Sequence, residues 1–287
     1  MAALTSDVQT PEELPPLLTR FSLGPEITPV QRRFLDRHGF LVFAKVATTE
    51  EIAMIGGELD RIEREWTAAQ RESVYGIPLF WGQNDGKAFL QRFPFTSAFS
   101  PAIRDFVRDP RFVPIRDLVG TGARVGDNEK DGVVVNRYIN TEGSAYPRLG
   151  WHTDGLRDLF YLRMPKRMLN IGLHLDRCTE DNGGLRLLPG SHTQGFLSMC
   201  FRKPYFVSHA KDPNEIVVET EPGDLTVHDG RLWHRVAAST RRGPASLRRS
   251  MYVPYLTDAP APKDDSSTMP LYHRVGGALR KARGRRR

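Results

Sequence analysis

Residues 222–237 read PGDLTVHDGRLWHRVA. A turn at Pro222-Gly223-Asp224 feeds one short run of β-forming residues, and a second turn at Asp229-Gly230 leads into LWHRVA. Such runs, four to eight residues long and bounded by Gly, Pro and Asp, are the signature of strands. Working outward, the same pattern repeats. DGVVVNRYIN (131–140) alternates, with Val134, Asn136, Tyr138 and Asn140 on one face. GWHTD, MLNIGLHLD, GGLRLLPGSH, EIVVETEPGD and SLRRSMYVPY follow. A series of short strands without intervening helical patterns predicts an antiparallel sandwich or barrel, not alternating βα units.

Toward the N-terminus the period changes. Thr28-Pro29 reads as a helix N-cap and first position, and Thr48 with Glu51 as a capping box. Behind that box Ile52, Ile55, Leu59, Ile62 and Trp66 recur at threes and fours, predicting an amphipathic helix over 49–71. FLVF (40–43) reads as a strand. Residues 74–131 mix aromatics with Gly and Pro and are expected to supply walls and lids, with short helices near 101–108 and 112–119. The expected organisation is an arm (1–27), one domain (28–275) with a helical and lid part (28–131) and a β core (132–258), and a basic tail (276–287).

Composition excludes several classes. Of 287 residues, 39% are apolar, enough to bury a core, so a wholly disordered chain is ruled out. The net charge of +7 suggests an anionic partner, but RKARGRRR (280–287) carries six positive charges and the rest of the chain only +1. The excess is a tail, and no helix-turn-helix, zinc finger or single-strand-binding signature accompanies it. Cys178 and Cys200 fit neither a metal knuckle nor a disulfide scaffold. No apolar run is long enough to span a membrane, and the first residues lack a secretory pattern, so a cytoplasmic setting is expected.

Chemistry is concentrated in three places. In His152-Thr153-Asp154 the imidazole and carboxylate at i and i+2 of a strand project to one face. His234 follows on a separate strand, with His228 six residues earlier as a rival. Two histidines and a carboxylate form a facial triad that suits non-heme Fe(II) with open coordination positions. Arg248-Arg249, inside a predicted strand, needs a carboxylate, which the distal carboxylate of 2-oxoglutarate would provide.

HTD, EDNGGLRLLPGSH, PGDLTVHDGRLWH and RRSMYV, in this order, resemble the phytanoyl-CoA dioxygenase family of Fe(II)/2-oxoglutarate oxygenases over residues 30–255. The resemblance implies a mostly β fold with flanking helices, a double-stranded β-helix (jelly-roll, cupin-like) barrel. It implies iron ligands His152, Asp154 and His234, and an arginine for 2-oxoglutarate at Arg248 or, because the preceding loop is longer than the family's, Arg249. Strand alternation lets only one of the two serve. An asparagine upstream of the HxD contacts the cosubstrate in related enzymes, which points to Asn140, with Asn136 on the same predicted face as the fallback.

The implied reaction consumes 2-oxoglutarate and O2, releases succinate and CO2, and hydroxylates a small or medium organic molecule, with natural-product biosynthesis as the family's common setting. Retention of Asp154 argues against halogenation. Hydroxylation of an amino acid or acyl chain, and desaturation, epoxidation or cyclisation, are the alternative outcomes. A cupin-like isomerase and a nucleic-acid binder using the tail are the other classes. Substrate contacts are expected from Phe160, Tyr161, Asn170, Arg186 and Trp81. The basic loop bearing Arg157, Arg163, Lys166 and Arg167 is either solvated or attracts an anionic substrate. His192 is read as a turn-fixing residue, and the oligomeric state as monomer or homodimer.

Overall fold

The computed structural model describes residues 13–84, 86–270 and 273. The first twelve residues of the expected arm and the basic tail lie outside them. Among the described residues there are fourteen strands: β1 (Phe40–Phe43), β2 (Ser73–Val74), β3 (Ile77–Pro78), β4 (Phe80–Asn84), β5 (Lys87–Phe93), β6 (Arg124–Val125) and β7 (Val134–Asn140). After them come β8 (Leu149–His152), β9 (Met168–His174), β10 (Gly184–Leu187), β11 (Ile216–Val217), β12 (Leu225–Asp229), β13 (His234–Ala237) and β14 (Gly243–Leu256).

Two helices set the N-terminal half. In α1 (Pro29–His38) Thr28 caps the Gln31 amide while the Gln31 side chain returns to the Thr28 amide. In α2 (Thr49–Ala68) Thr48 and Glu51 form the same reciprocal pair. Each box satisfies N–H groups that the first turn cannot pair internally. Ile55, Leu59, Ile62 and Trp66 of α2 are buried, and the Trp66 ring lies 6.3 Å from that of Phe93 on β5.

The strands form two main antiparallel sheets and a small β2–β3 ribbon. The large sheet runs β1-β12-β9-β14-β7-β5-β4, with β6 paired to β14. The small sheet runs β11-β10-β13-β8. This corrects the expected barrel: among the described residues no strand of one sheet pairs with a strand of the other, so the β-helix is not closed. The reason lies at the edges, where unpaired backbone groups must find partners. Phe21 exchanges backbone hydrogen bonds with Val42 and Ala44 along β1. Gly143 accepts from Gln83 on β4, and Ser208 and Phe206 bond to Trp151 on β8. Loops thus take the positions through which closure would run. The architecture is a mixed fold of two open sheets with helices.

The large sheet also reaches beyond the expected core. The β4–β5 hairpin, from the segment expected to supply lids, and β1 are both integral to it. Short helices at Pro101–Val107 and Val113–Asp117 lie where the sequence places them.

Alternation gives the large sheet two unlike faces. One row across six strands is Phe93, Val135, Met251, Leu173, Leu225 and Phe43, all fully buried. The adjacent row, on the other face, is Arg92, Asn136, Ser250 and His174. The apolar face belongs to the main core shared with α1 and α2. The polar face also carries Tyr138, Arg248, Asn170 and His228.

Candidate metal centre

His152 ends β8 and His234 begins β13, and the two residues are directly paired in the small sheet. Their rings lie 4.0 Å apart between centroids. Asp154 follows two residues after His152. One ligand atom from each of the three lies within 4.8 Å of the others, and all three are buried.

The imidazoles are oriented by their own backbone. Nδ1 of His152 lies 2.8 Å from the Gly150 carbonyl, and Nδ1 of His234 3.0 Å from that of Leu232. A carbonyl only accepts, so each Nδ1 carries the proton and each Nε2 keeps its lone pair, the arrangement of a metal-binding histidine. Burial pushes His152 down to about 4 and holds His234 well below its ordinary value, so both rings are neutral at pH 7.

Burial alone would raise the Asp154 carboxyl. The hydrogen bond from His228 and the neighbouring imidazoles outweigh it and keep the group well below the usual carboxylate range. The donor set of two neutral imidazoles and a carboxylate therefore fits a divalent iron.

The large sheet supplies the supports. His228 of β12 donates Nε2–H to Asp154 Oδ2 at 3.1 Å, and Asn170 of β9 donates Nδ2–H to the same oxygen at 2.8 Å. His228 is thus a partner of the carboxylate and stands outside the cluster of three. Asn170, expected at the substrate, braces the triad. Phe206 stacks on His152 at 4.7 Å, and the Tyr205 hydroxyl donates to the Thr153 carbonyl at 2.6 Å. Neither aromatic was singled out from the sequence, because residues 195–210 show no period.

Arg248 and Arg249 take opposite faces. Arg249 is spent on Asp176, with Nε and Nη2 donating to the two carboxylate oxygens at 2.9 and 2.8 Å. Arg248 is 1% exposed and meets no carboxylate among the described residues. Its guanidinium donates to the carbonyls of Asn182 and Ala237, lies over the Tyr138 ring, and leaves Nε without a partner. A buried cation without an anion is costly, so the pocket fits a dicarboxylate cosubstrate. Gly183, at φ +95°, makes room: a Cβ there would run into the guanidinium.

The remaining expectations divide. Asn140 uses its carboxamide to hold the β13–β14 loop, donating to Ser239 and Arg241 carbonyls at 2.9 and 3.0 Å. Asn136 is buried on the polar face, with Oδ1 unpartnered. His234 pairs with Leu187, so Arg186 projects to the opposite face from His234, bonded to the Gly183 and Glu180 carbonyls. Trp81 packs on the helix-side core and donates to the Arg71 carbonyl. Phe160 and Tyr161 line a cavity of about 640 Å³. Of the basic loop, Arg157 pairs with Asp131, Arg163 with Asp258, and Arg167 donates to the Leu118 carbonyl. His192 bonds to the Asp36 carbonyl at 3.1 Å, joining its turn to α1.

Among the described residues, no helix is long and apolar enough to cross a membrane. The chain is 27% identical over 207 residues to an ectoine dioxygenase of Bordetella bronchiseptica, covering 68% of this chain and 62% of that protein. It therefore spans less than two thirds of that relative's length. It is 26% identical over 218 residues to a probable alpha-ketoglutarate-dependent hypophosphite dioxygenase of Stutzerimonas stutzeri, covering 71% and 70%. Its fold is like that of HygX from Streptomyces hygroscopicus with nickel and 2-oxoglutarate bound, at a TM-score of 0.58 and 19% identity over 85% of this chain and 90% of that one. With the phytanoyl-CoA dioxygenase (PhyH) profile matching residues 35–246, the chain belongs to that family.

Proposed function

We propose that the protein is an Fe(II)/2-oxoglutarate-dependent oxygenase, organised as one domain over residues 28–275, that hydroxylates a small or medium organic molecule in a biosynthetic pathway. The observation that carries this reading is the buried His152, Asp154 and His234 cluster with both Nδ1 atoms engaged by carbonyls. Two relatives are named for ectoine and hypophosphite, which supports a small-molecule substrate.

In this reading His152, Asp154 and His234 hold the iron through two Nε2 atoms and a carboxylate. When bound, iron with 2-oxoglutarate and O2 supplies the oxidising power, yielding succinate and CO2 and an oxidised C–H bond. His228 and Asn170 fix the Asp154 carboxylate by hydrogen bonds to one oxygen. Arg248 grips the distal carboxylate of 2-oxoglutarate as a charge-assisted pair. Asn136, with its unpartnered Oδ1 on the polar face, replaces Asn140 as the amide beside the cosubstrate. Phe206 covers the His152 ring and keeps water from it.

The test is succinate release from 2-oxoglutarate, dependent on O2 and a substrate library. His152→Ala and His234→Ala are each expected to abolish it at saturating 2-oxoglutarate. Full turnover in either variant overturns the ligand assignment.

A further inference from the structure

The cavity of about 640 Å³ that Phe160 and Tyr161 line carries more basic than acidic side chains. Its walls include Lys130, Arg163 and Lys263 against one acid, Asp158. Lys130 is matched by Asp158 at 2.5 Å and Arg163 by Asp258 at 2.9 Å. Lys263 has no ion pair among the described residues. It is half-buried, with its ammonium 5.5 Å from the centroid of the Tyr161 ring.

The acid whose charge reaches Lys263 is Asp131. That single carboxylate already receives Arg92 and Arg157, each at 2.6 Å on the same oxygen. Burial lowers the Lys263 ammonium from its ordinary value, as expected for a cation short of a counter-ion.

Through Phe160 the cavity adjoins the aromatic side chains packed beside the metal centre. Arg157 comes three residues after Asp154, and its charge reaches His152. The Phe160 ring lies 5.8 Å from Tyr205, which in turn stands edge-on to His152 at 6.5 Å. The cavity is of the size that holds small ligands.

We propose that this cavity seats the anionic end of the substrate, an oxyanion such as a carboxylate or phosphate, with Lys263 as its ion-pair partner. The inference rests on the oxygenase reading for the word substrate, while the anion site rests on the cavity alone.

The experiment uses the full chain loaded anaerobically with Fe(II) and 2-oxoglutarate. It is challenged with alkyl and aryl carboxylates, with phosphomonoesters, and with the matched neutral amides and alcohols. Melting-temperature shifts report binding, and succinate release after admitting O2 reports turnover. Binders are expected among the anions, and the two anionic arms decide which oxyanion fits. Lys263→Gln should weaken those binders about 10- to 100-fold, the range for a hydrogen bond to a charged group. Lys263→Arg should restore most of the affinity.

2-Oxoglutarate affinity, read from the visible absorption of its anaerobic iron complex, is measured in parallel. A variant that loses both anions equally overturns the proposal, as do exclusively neutral binders, an absence of anionic binders, or an unchanged Lys263→Gln. Anion binding without succinate from any compound would refute the oxygenase reading and leave the site standing. Succinate from neutral compounds alone would do the reverse.

Discussion

The two faces of the large sheet are built from the same strands and follow opposite rules. The row Phe93, Val135, Met251, Leu173, Leu225, Phe43 is uniformly apolar and belongs to the core shared with α1 and α2. One residue along each strand, Arg92, Asn136, Ser250 and His174 are buried or nearly so yet polar. Arg248 sits on that polar side, and His228 and Asn170 reach from it to Asp154 of the small sheet. The dry face stabilises the sheet, and the polar face spends part of that stability on groups that lack hydrogen-bond partners among the described residues, such as Arg248 Nε and Asn136 Oδ1. Substitutions on the first should therefore cost stability, and on the second binding.

The sharpest contrast is between neighbours. Arg248→Gln should raise the 2-oxoglutarate requirement on the order of 100-fold or more, since it removes a buried charge partner. Arg249→Gln should leave that requirement alone, because Asp176 already occupies its guanidinium. Equal effects on 2-oxoglutarate affinity, measured by titration under anaerobic conditions, would break the division between the faces.

On the apolar face, Leu173→Ala should cost about 2–5 kcal/mol, the range for truncating a fully buried leucine. Urea denaturation would read this loss. The 2-oxoglutarate affinity of the folded fraction should stay that of the wild type. A selective loss of cosubstrate binding with intact stability would show that the two faces are coupled through the sheet.

His174 tests the polar face by pH. Its ring is buried against Thr226 and Ser250, at 3.2 and 3.3 Å, and burial pushes it down to about 4. The unfolded chain, with histidine near 6.5, takes up a proton that the folded protein refuses. Stability is therefore fully present above about pH 6.5 and falls toward pH 4, by up to about 3 kcal/mol from this group. His174→Gln should flatten the slope of melting temperature between pH 4 and 6.5. An unchanged slope would mean that the imidazole is accommodated in charged form.

What the sequence made legible was local. Capping boxes, the α2 stripe and most strands follow from neighbours three or four residues apart, or two. The HxD and the later histidine stood out because flanking turns fixed their strands. The open sheets were not legible: Phe21, Gly143 and Ser208 cover edges through pairings that no period announces. The different surroundings of Asn136 and Asn140 were not legible for a similar reason. Both share a face by alternation, yet the register shift in β14 between Gly243 and Arg248 turns the end of β7 toward the loop. The face on which Arg186 lies was not legible because a strand of four residues does not declare its phase.

The smallest effect expected is also the most discriminating for how the two sheets cooperate. Asp154 Oδ2 receives two hydrogen bonds from the large sheet, from Asn170 at 2.8 Å and His228 at 3.1 Å. Asn170→Ala removes one and leaves the other, so the carboxylate stays ionised but is held less tightly. Loss of such a support lowers metal affinity by about 10-fold at the mild end of the known range. Fe(II) affinity measured against a competing chelator gives the ranking wild type, then Asn170→Ala. If Asn170→Ala binds iron as the wild type does, His228 alone orients the carboxylate, and β9 contributes to the metal centre only by closing the space around it.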